Sequence, residues 1–395
     1  MKKKLVILYP YKFTSFEYFK FEIDKFKYDI KIIDLSYANK IFSNKWKSIR
    51  HKKVIAPKNI PVLIKTFNSI NSKDTFILNF LAKENNLFTL ISKFIIRKKK
   101  IFDINIDEKG WSLQKVEKNY TWFKEKLLKI NLNFFFYLSS LANILFKIFN
   151  FILNNKNQIY FHPNSRSQYR YIHFFDYSNS LIKKKKNIRK RYVLYLDNGG
   201  PYFQGDTQHM GNKHPNNSYY EKKNIREWYM ECNKFFKKIE KDFNCHVVII
   251  PHPKYKSSSK KIKTHNPYFR EFIVNNKVDA LTNLGSNALF YLSRGSTASA
   301  YAVLNKKPMI FFYSSNFIYG VNELKVSKQH ALDLGTECLD FRYYNFKKIK
   351  KLLKINLKKY DLYFKKNLVP RKALRTKKNY ELISNFINNF KINVE

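Results

Sequence analysis

Short apolar runs alternate with helix-period stretches along this chain, and the alternation starts twice. The first series predicts strands at Leu5–Leu8, Ile30–Asp34, Thr75–Asn79, Lys100–Ile106, Gln158–Phe161 and Tyr171–Asp176, with a helix over Phe16–Phe26. A basic stretch, Ile182–Arg191, interrupts it. The second series opens at Tyr192–Leu196, continues through a helix over Ile225–Asp242, and adds strands at Val247–Ile250, Ala288–Leu292 and Pro308–Tyr313. Strands joined through helices need crossover connections, which make a parallel sheet covered on both faces. Two starts predict two such units. The expected fold is α/β, with two Rossmann-like domains facing a cleft, over residues 1–186 and 187–345, and a helical segment over 346–395. Leu382, Ile383, Phe386, Ile387 and Phe390 recur at helical spacing near the end. This last helix is expected to pack back on the first domain.

The chain has 395 residues, enough for a core in each domain, and its 44% hydrophobic fraction is that of a globular protein. Its formal charge of +47 raises the question of an anionic partner. The lysines are spread along the whole chain and no RNP, helix-turn-helix or zinc-finger pattern occurs, so no nucleic-acid partner is expected. Peripheral contact with an anionic membrane needs only clustered positive charge, and Arg97–Lys100 and Lys183–Lys186 are the clusters available. Cys232, Cys245 and Cys338 are odd in number and widely spaced, which argues against both a disulfide framework and a zinc site. A cytoplasmic, reducing location follows, at the inner face of the cell membrane if the basic clusters dock there. Leu132–Leu153 is apolar, but Asn133, Asn143, Lys147 and Asn150 interrupt it, so it reads as a buried or interface-lying helix.

Three loops carry the candidate chemistry. The strand ending at Ile250 runs into Pro251, His252, Pro253 and Lys254, so two prolines stiffen the backbone around an imidazole beside a lysine. In an open α/β sheet, ligands bind beyond the carboxyl ends of the strands. The strand ending at Leu292 leads into Gly295, Ser296 and Thr297 at a helix start. There glycine permits close backbone approach, and free N–H groups favour an anion. The strand ending at Leu196 leads into Asp197, Asn198, Gly199, Gly200 and, further on, Asp206, candidates for sugar or catalytic contacts. In the first unit Glu17, Glu22, Asp103, Asp107, Glu108, His173 and Asp176 are the groups available to take a proton from an acceptor hydroxyl. Asp107 and Glu108 are preferred as the base.

The segments Tyr195–Asp206, His252–Tyr255 and Arg294–Pro308 resemble those of bacterial surface-polysaccharide glycosyltransferases of GT-B type. More loosely, a His-Pro followed by a Ser/Thr pair is similar to bacterial sialyltransferases and the related Kdo transferases. There these residues contact the CMP part of the donor, which implies that role for His252, Pro253, Ser296 and Thr297. An acidic motif ending in glycine supplies the base in those sialyltransferases. The nearest match is Asp107–Gly110, which carries one extra residue. The resemblance covers residues 192–313 and implies transfer of a sugar, CMP-linked by preference, from a nucleotide-sugar to a glycan or lipid-linked glycan acceptor such as a surface polysaccharide or lipopolysaccharide. The nucleotide-sugar is then a substrate, and neither a cofactor nor a metal is expected. Two alternatives stay open: a CDP-glycerol-type polyol-phosphate transferase, and a noncatalytic nucleotide- or glycan-binding scaffold.

Overall fold

The structure is a computed structural model. It describes residues 3–38, 53–81, 87–106, 158–161, 171–181, 190–198, 222–252, 267–317, 321–369 and 374–390. The apolar segment Leu132–Leu153 and the cluster Lys183–Lys186 lie outside the described residues.

Two sheets form, each of six parallel strands. The first contains β1 (Lys4–Tyr9), β2 (Asp29–Asp34), β3 (Val54–Ile55), β4 (Thr75–Asn79), β5 (Phe102–Ile106) and β6 (Gln158–Phe161), in the order β3-β2-β1-β4-β5-β6. The second contains β7 (Tyr192–Leu196), β8 (His246–Ile250), β9 (Ile273–Val274), β10 (Tyr291–Ser293), β11 (Met309–Tyr313) and β12 (Cys338–Asp340), in the order β12-β11-β10-β7-β8-β9. Counted within its own sheet and read from the other edge, the second order is identical to the first. Both are the doubly wound Rossmann order, and together they make a GT-B architecture. The central strands are buried on both faces, as an unbroken run such as Tyr192–Leu196 requires.

Helices cover both sheets. In the first unit these are α1 (Ser15–Lys20), α2 (Ile60–Asn68) and α3 (Leu87–Lys98). A short helix α4 (Phe175–Ser180) follows β6. The second unit has α5 (Lys222–Phe243), α6 (Ala280–Leu284), α7 (Ala300–Leu304) and α8 (Val321–Asp333). The chain ends in α9 (Phe346–Leu352), α10 (Leu357–Tyr363) and α11 (Asn379–Asn389). The segment after residue 345 divides its packing: Ile349 and Leu352 of α9 and Tyr360 and Tyr363 of α10 join the core of the second sheet. Ile383 and Ile387 of α11 join that of the first, where Phe390 lies 4.2 Å from Phe102, ring centre to ring centre.

Some sequence expectations shift. Tyr171–Asp176 is not a strand, because Tyr171–Phe174 form no regular element and pair with no strand, and α4 starts at Phe175. Tertiary contacts hold this stretch instead. Tyr171 Oη and His173 Nδ1 lie 2.8 Å apart, and the His173 amide donates to Asn379 Oδ1 at 2.8 Å. The helix expected over Phe16–Phe26 stops at Lys20, since Glu22 adopts φ 52°, a left-handed conformation a helix cannot continue through. The edge strands β3, β9 and β12 have two or three residues each, too few for a period-2 pattern to show. Within Arg97–Lys100, Lys99 turns inward and its Nζ donates to the carbonyls of Phe67 and Ile70 at 2.9 and 2.8 Å, capping the end of α2. That charge is spent on folding. Among the described residues, no helix is long and apolar enough to cross a membrane.

Two buried histidines make stability pH-dependent. Burial lowers the pKa of His173 and of His330 to about 4. Between pH 6.5 and 4 the unfolded chain therefore takes up protons the folded chain refuses, and these residues withdraw stability as the pH falls. Burial raises the Asp103 carboxyl to about 6, which acts in the opposite direction. The contribution of His330 is isolated by comparing wild type with His330→Leu in thermal melts at pH 7, 5 and 4. The variant is expected to lose less stability on acidification; parallel losses would show that His330 does not titrate differently on folding.

Candidate active site

In doubly wound sheets the crevice opens where the strand order reverses, between β1 and β4 in the first sheet and between β7 and β10 in the second. The first switch point carries the loop from β1 into α1. That loop, Pro10–Thr14, contains no glycine. Asp34, at the end of β2, is buried, and its two oxygens accept from the amides of Phe13 and Ser36, both at 2.9 Å. Asp34 is thereby committed to fixing the loop. A backbone without glycine, tied down in this way, offers no phosphate cradle.

What the loop does present is Glu17. Thr14 caps α1, its side chain accepting from Phe16 N, and Glu17 reaches back to Thr14 in a capping box. Glu17 Oε2 accepts from the Thr14 amide at 2.9 Å and from the Thr14 hydroxyl. Its Oε1 accepts from Tyr9 Oη at 3.4 Å. Burial pushes the Glu17 carboxyl above the usual carboxylate range, against the opposing pull of Thr14 and of the Lys20 ammonium.

The second switch point holds two of the three loops singled out in the sequence. Asn198 follows β7, and its Nδ2 donates to the Arg294 carbonyl at 3.3 Å, joining the β7 and β10 loops. Gly295 has φ +91°, and a Cβ there would meet Ser327 Oγ at 3.1 Å and Val326 Cγ1 at 3.2 Å. Only glycine is unstrained in that position. The Ser296 amide donates to Ser293 Oγ at 3.0 Å, and Ser296 Oγ accepts from the Ala298 amide at 3.2 Å. Ser296 is thus the cap of a short 3-10 turn, Thr297–Ser299, that runs into α7. Below the loop the Arg294 guanidinium lies 4.5 Å from the centre of the Trp228 ring on α5. Asp197 and Arg294 act with opposite sign on the buried Tyr195 and Cys232, both pushed well up mainly by burial. The site is therefore underpinned by buried charge as well as by apolar packing.

One cavity of about 340 Å³ joins these parts. The first unit contributes Tyr9, Phe16, Glu17 and Lys20; α4 and the residue before it contribute Phe174, Asp176 and Asn179. The second unit contributes Asp197, His252, Asn275–Lys277, Ser296 and Thr297. Of the sequence candidates, Asp197, His252, Ser296 and Thr297 share this wall, with Asn198 and Gly295 in the loops behind it, and Glu17 and Asp176 line the rest of the cavity. Asp107, Glu108, Gly199, Gly200, Asp206, Pro253 and Lys254 lie outside the described residues. His173 is fully buried, with Nε2 2.9 Å from the Leu374 carbonyl, so it serves the interdomain connection. Asp103 is buried under α3 and accepts from Asn79 and Asn105 at 3.1 and 3.3 Å. Glu22 pairs with Lys378 at 3.6 Å and accepts from Ser178 at 2.8 Å, both part of the connection. The Asn275–Lys277 wall was not foreseen, because the two-residue β9 that positions it left no periodic signal. Among the described residues no three His, Cys, Asp or Glu side chains group as metal ligands would.

No family model and no curated protein matches this sequence. Solved structures resemble it distantly along its whole length. A putative UDP-N-acetylglucosamine 2-epimerase from Listeria monocytogenes aligns at 11% identity and a TM-score of 0.46, over 95% of this chain and 94% of that one. The glycosyltransferase SnogD from Streptomyces nogalater aligns at 6% identity and a TM-score of 0.45, over 98% and 99%. A UDP-N-acetylglucosamine 2-epimerase from Rickettsia bellii aligns at 12% identity and a TM-score of 0.42, over 100% and 99%.

Proposed function

We propose that the protein transfers a sugar from a nucleotide-sugar to a glycan acceptor. The observation that carries this reading is the single cavity in which Glu17 of the first unit meets the Ser296–Thr297 turn and His252 of the second. The donor phosphates are assigned to the Gly295–Thr297 turn, the one switch point among the described residues with a glycine at positive φ and a capped helix start beside it. His252 donates to the nucleotide or phosphate from the neighbouring strand end, with Pro253 and Lys254 completing that loop. Glu17 takes the proton of the acceptor hydroxyl as that oxygen attacks the anomeric carbon and the nucleotide leaves. Helix-start amides and His252 stabilise the charge on the leaving phosphate. A CMP-linked donor, a surface-polysaccharide or lipid-linked acceptor and work at the inner face of the cell membrane are the finer parts of the proposal. They rest on the motif resemblance. The domain limits of 1–186, 187–345 and 346–395 belong to it as well.

Titration of CMP, CDP, UDP and GDP tests the donor half, since a ligand that binds only the folded state raises its melting temperature. At least one is expected to bind, and His252→Ala and Ser296→Ala are each expected to weaken it about tenfold, one charge-assisted or cap-linked hydrogen bond apiece. Unchanged affinity in both variants would remove the donor site from this wall. Product analysis decides the reaction class: a transferred polyol phosphate, or a donor sugar altered without transfer, would overturn glycosyl transfer.

A further inference from the structure

The chain crosses between the two units at α4, and this helix is bolted to residues 374–379 of the returning chain. Tyr177 Oη donates to the Arg375 carbonyl at 2.7 Å. Ser178 Oγ donates to Glu22 Oε2 at 2.8 Å and accepts from the Asn379 amide at 2.9 Å. The next residue, Asn179, turns to the other side and lines the cavity. It is 2% exposed, and its Oδ1 has no hydrogen-bond partner among the described residues. A buried carbonyl oxygen left without a donor destabilises the unliganded fold. Three residues earlier on the same helical face, Asp176 also lines the cavity, with Phe174 beside it.

An unused amide oxygen and a carboxylate one helical turn apart, next to an aromatic ring, suit neighbouring hydroxyls on a sugar ring, which donate to the oxygens while ring C–H groups lie against the aromatic face. We propose that Asn179 and Asp176, on the interdomain helix, bind vicinal hydroxyls of the ligand, so that a bound sugar is held by the connection between the units as well as by the units themselves. This rests on the reading of the cavity as a nucleotide-sugar site. The shared chemistry is a vicinal diol, which either the ribose or the transferred sugar supplies.

Asn179→Leu separates this from a structural role, because the two roles predict opposite signs. Without ligand, the full-length variant is expected to melt about 1–2 °C higher than wild type, since an unpaired buried acceptor has been removed. In calorimetry with CMP, UDP and UDP-glucose as probes, it is expected to bind about tenfold more weakly at least one probe that wild type binds. Weakening towards CMP or UDP assigns the diol to ribose; weakening confined to UDP-glucose assigns it to the sugar. Asn179→Ala provides the same affinity comparison should the leucine not fit. Wild-type affinity in both variants overturns the proposal while leaving the donor site standing. Wild type that binds no probe overturns both.

Discussion

Glu17→Gln is expected to lower the transfer rate by about 10²–10⁴-fold, the usual contribution of a positioned general base, while nucleotide affinity and melting temperature stay close to wild type. Glutamine is chosen because the capping box accepts it. Its side-chain oxygen still takes the Thr14 amide now bonded to Glu17 Oε2, so α1 keeps its start. The Tyr9 hydroxyl, which donates to Glu17 Oε1, becomes the acceptor of the glutamine amide instead, and the catalytic property lost is the capacity to take a proton. The pH dependence provides an independent check. Burial holds the Glu17 carboxyl above the usual carboxylate range, and a base works only when ionised. The acid limb of kcat/KM should therefore rise through a pKa above that of an ordinary glutamate and disappear in Glu17→Gln. If Glu17→Gln retains wild-type turnover, Glu17 is only a helix cap, and the base belongs to Asp107 or Glu108.

Trp228→Ala is expected to cost about 3–5 kcal/mol of stability, the range for emptying an aromatic site in a packed core. That is a large share of the roughly 5–15 kcal/mol that holds a typical domain. Trp228 is 1% exposed, sits edge-on to Tyr229 at 4.7 Å and to Phe341 at 5.9 Å, and carries Arg294 on its ring. The variant thus removes both a core filler and the platform beneath the residue preceding Gly295. Trp228→Phe keeps an aromatic face at smaller volume and should cost less. Urea unfolding reports the stability loss, and nucleotide titration of the surviving folded protein should show weakened binding in Trp228→Ala. Wild-type nucleotide affinity in that variant would show that Arg294 needs no support from the ring to hold the loop.

The two Rossmann units were legible because strands buried on both faces must be written as unbroken apolar runs. Thr75–Asn79 and Tyr192–Leu196 match their strands residue for residue. The Gly295–Ser296 turn was legible for a related reason. A position at φ +91° requires glycine, and a helix start requires an oxygen-bearing cap, so Gly295 and Ser296 leave a local mark. Glu17 was one carboxylate among several, because nothing local distinguishes a capping-box glutamate that faces a cavity from one that faces water. Tyr171–Asp176 read as a strand because its aromatic residues suit one, yet the partners of His173 are Asn379 and Leu374, about two hundred residues away in sequence.

By itself, then, the sequence determined the two sheets, the glycine-bearing turn and the proline-framed histidine, all of which follow from short-range constraints on backbone and burial. The tertiary structure alone decided which of these meet. Sheet order sets β7 beside β10 and brings Asn198 to the Arg294 carbonyl. Hydrogen bonds tie α4 to Arg375 and Asn379, and Glu17 shares one cavity with Ser296. Such meetings are set by strand pairing and packing between distant segments, which no window of neighbouring residues records.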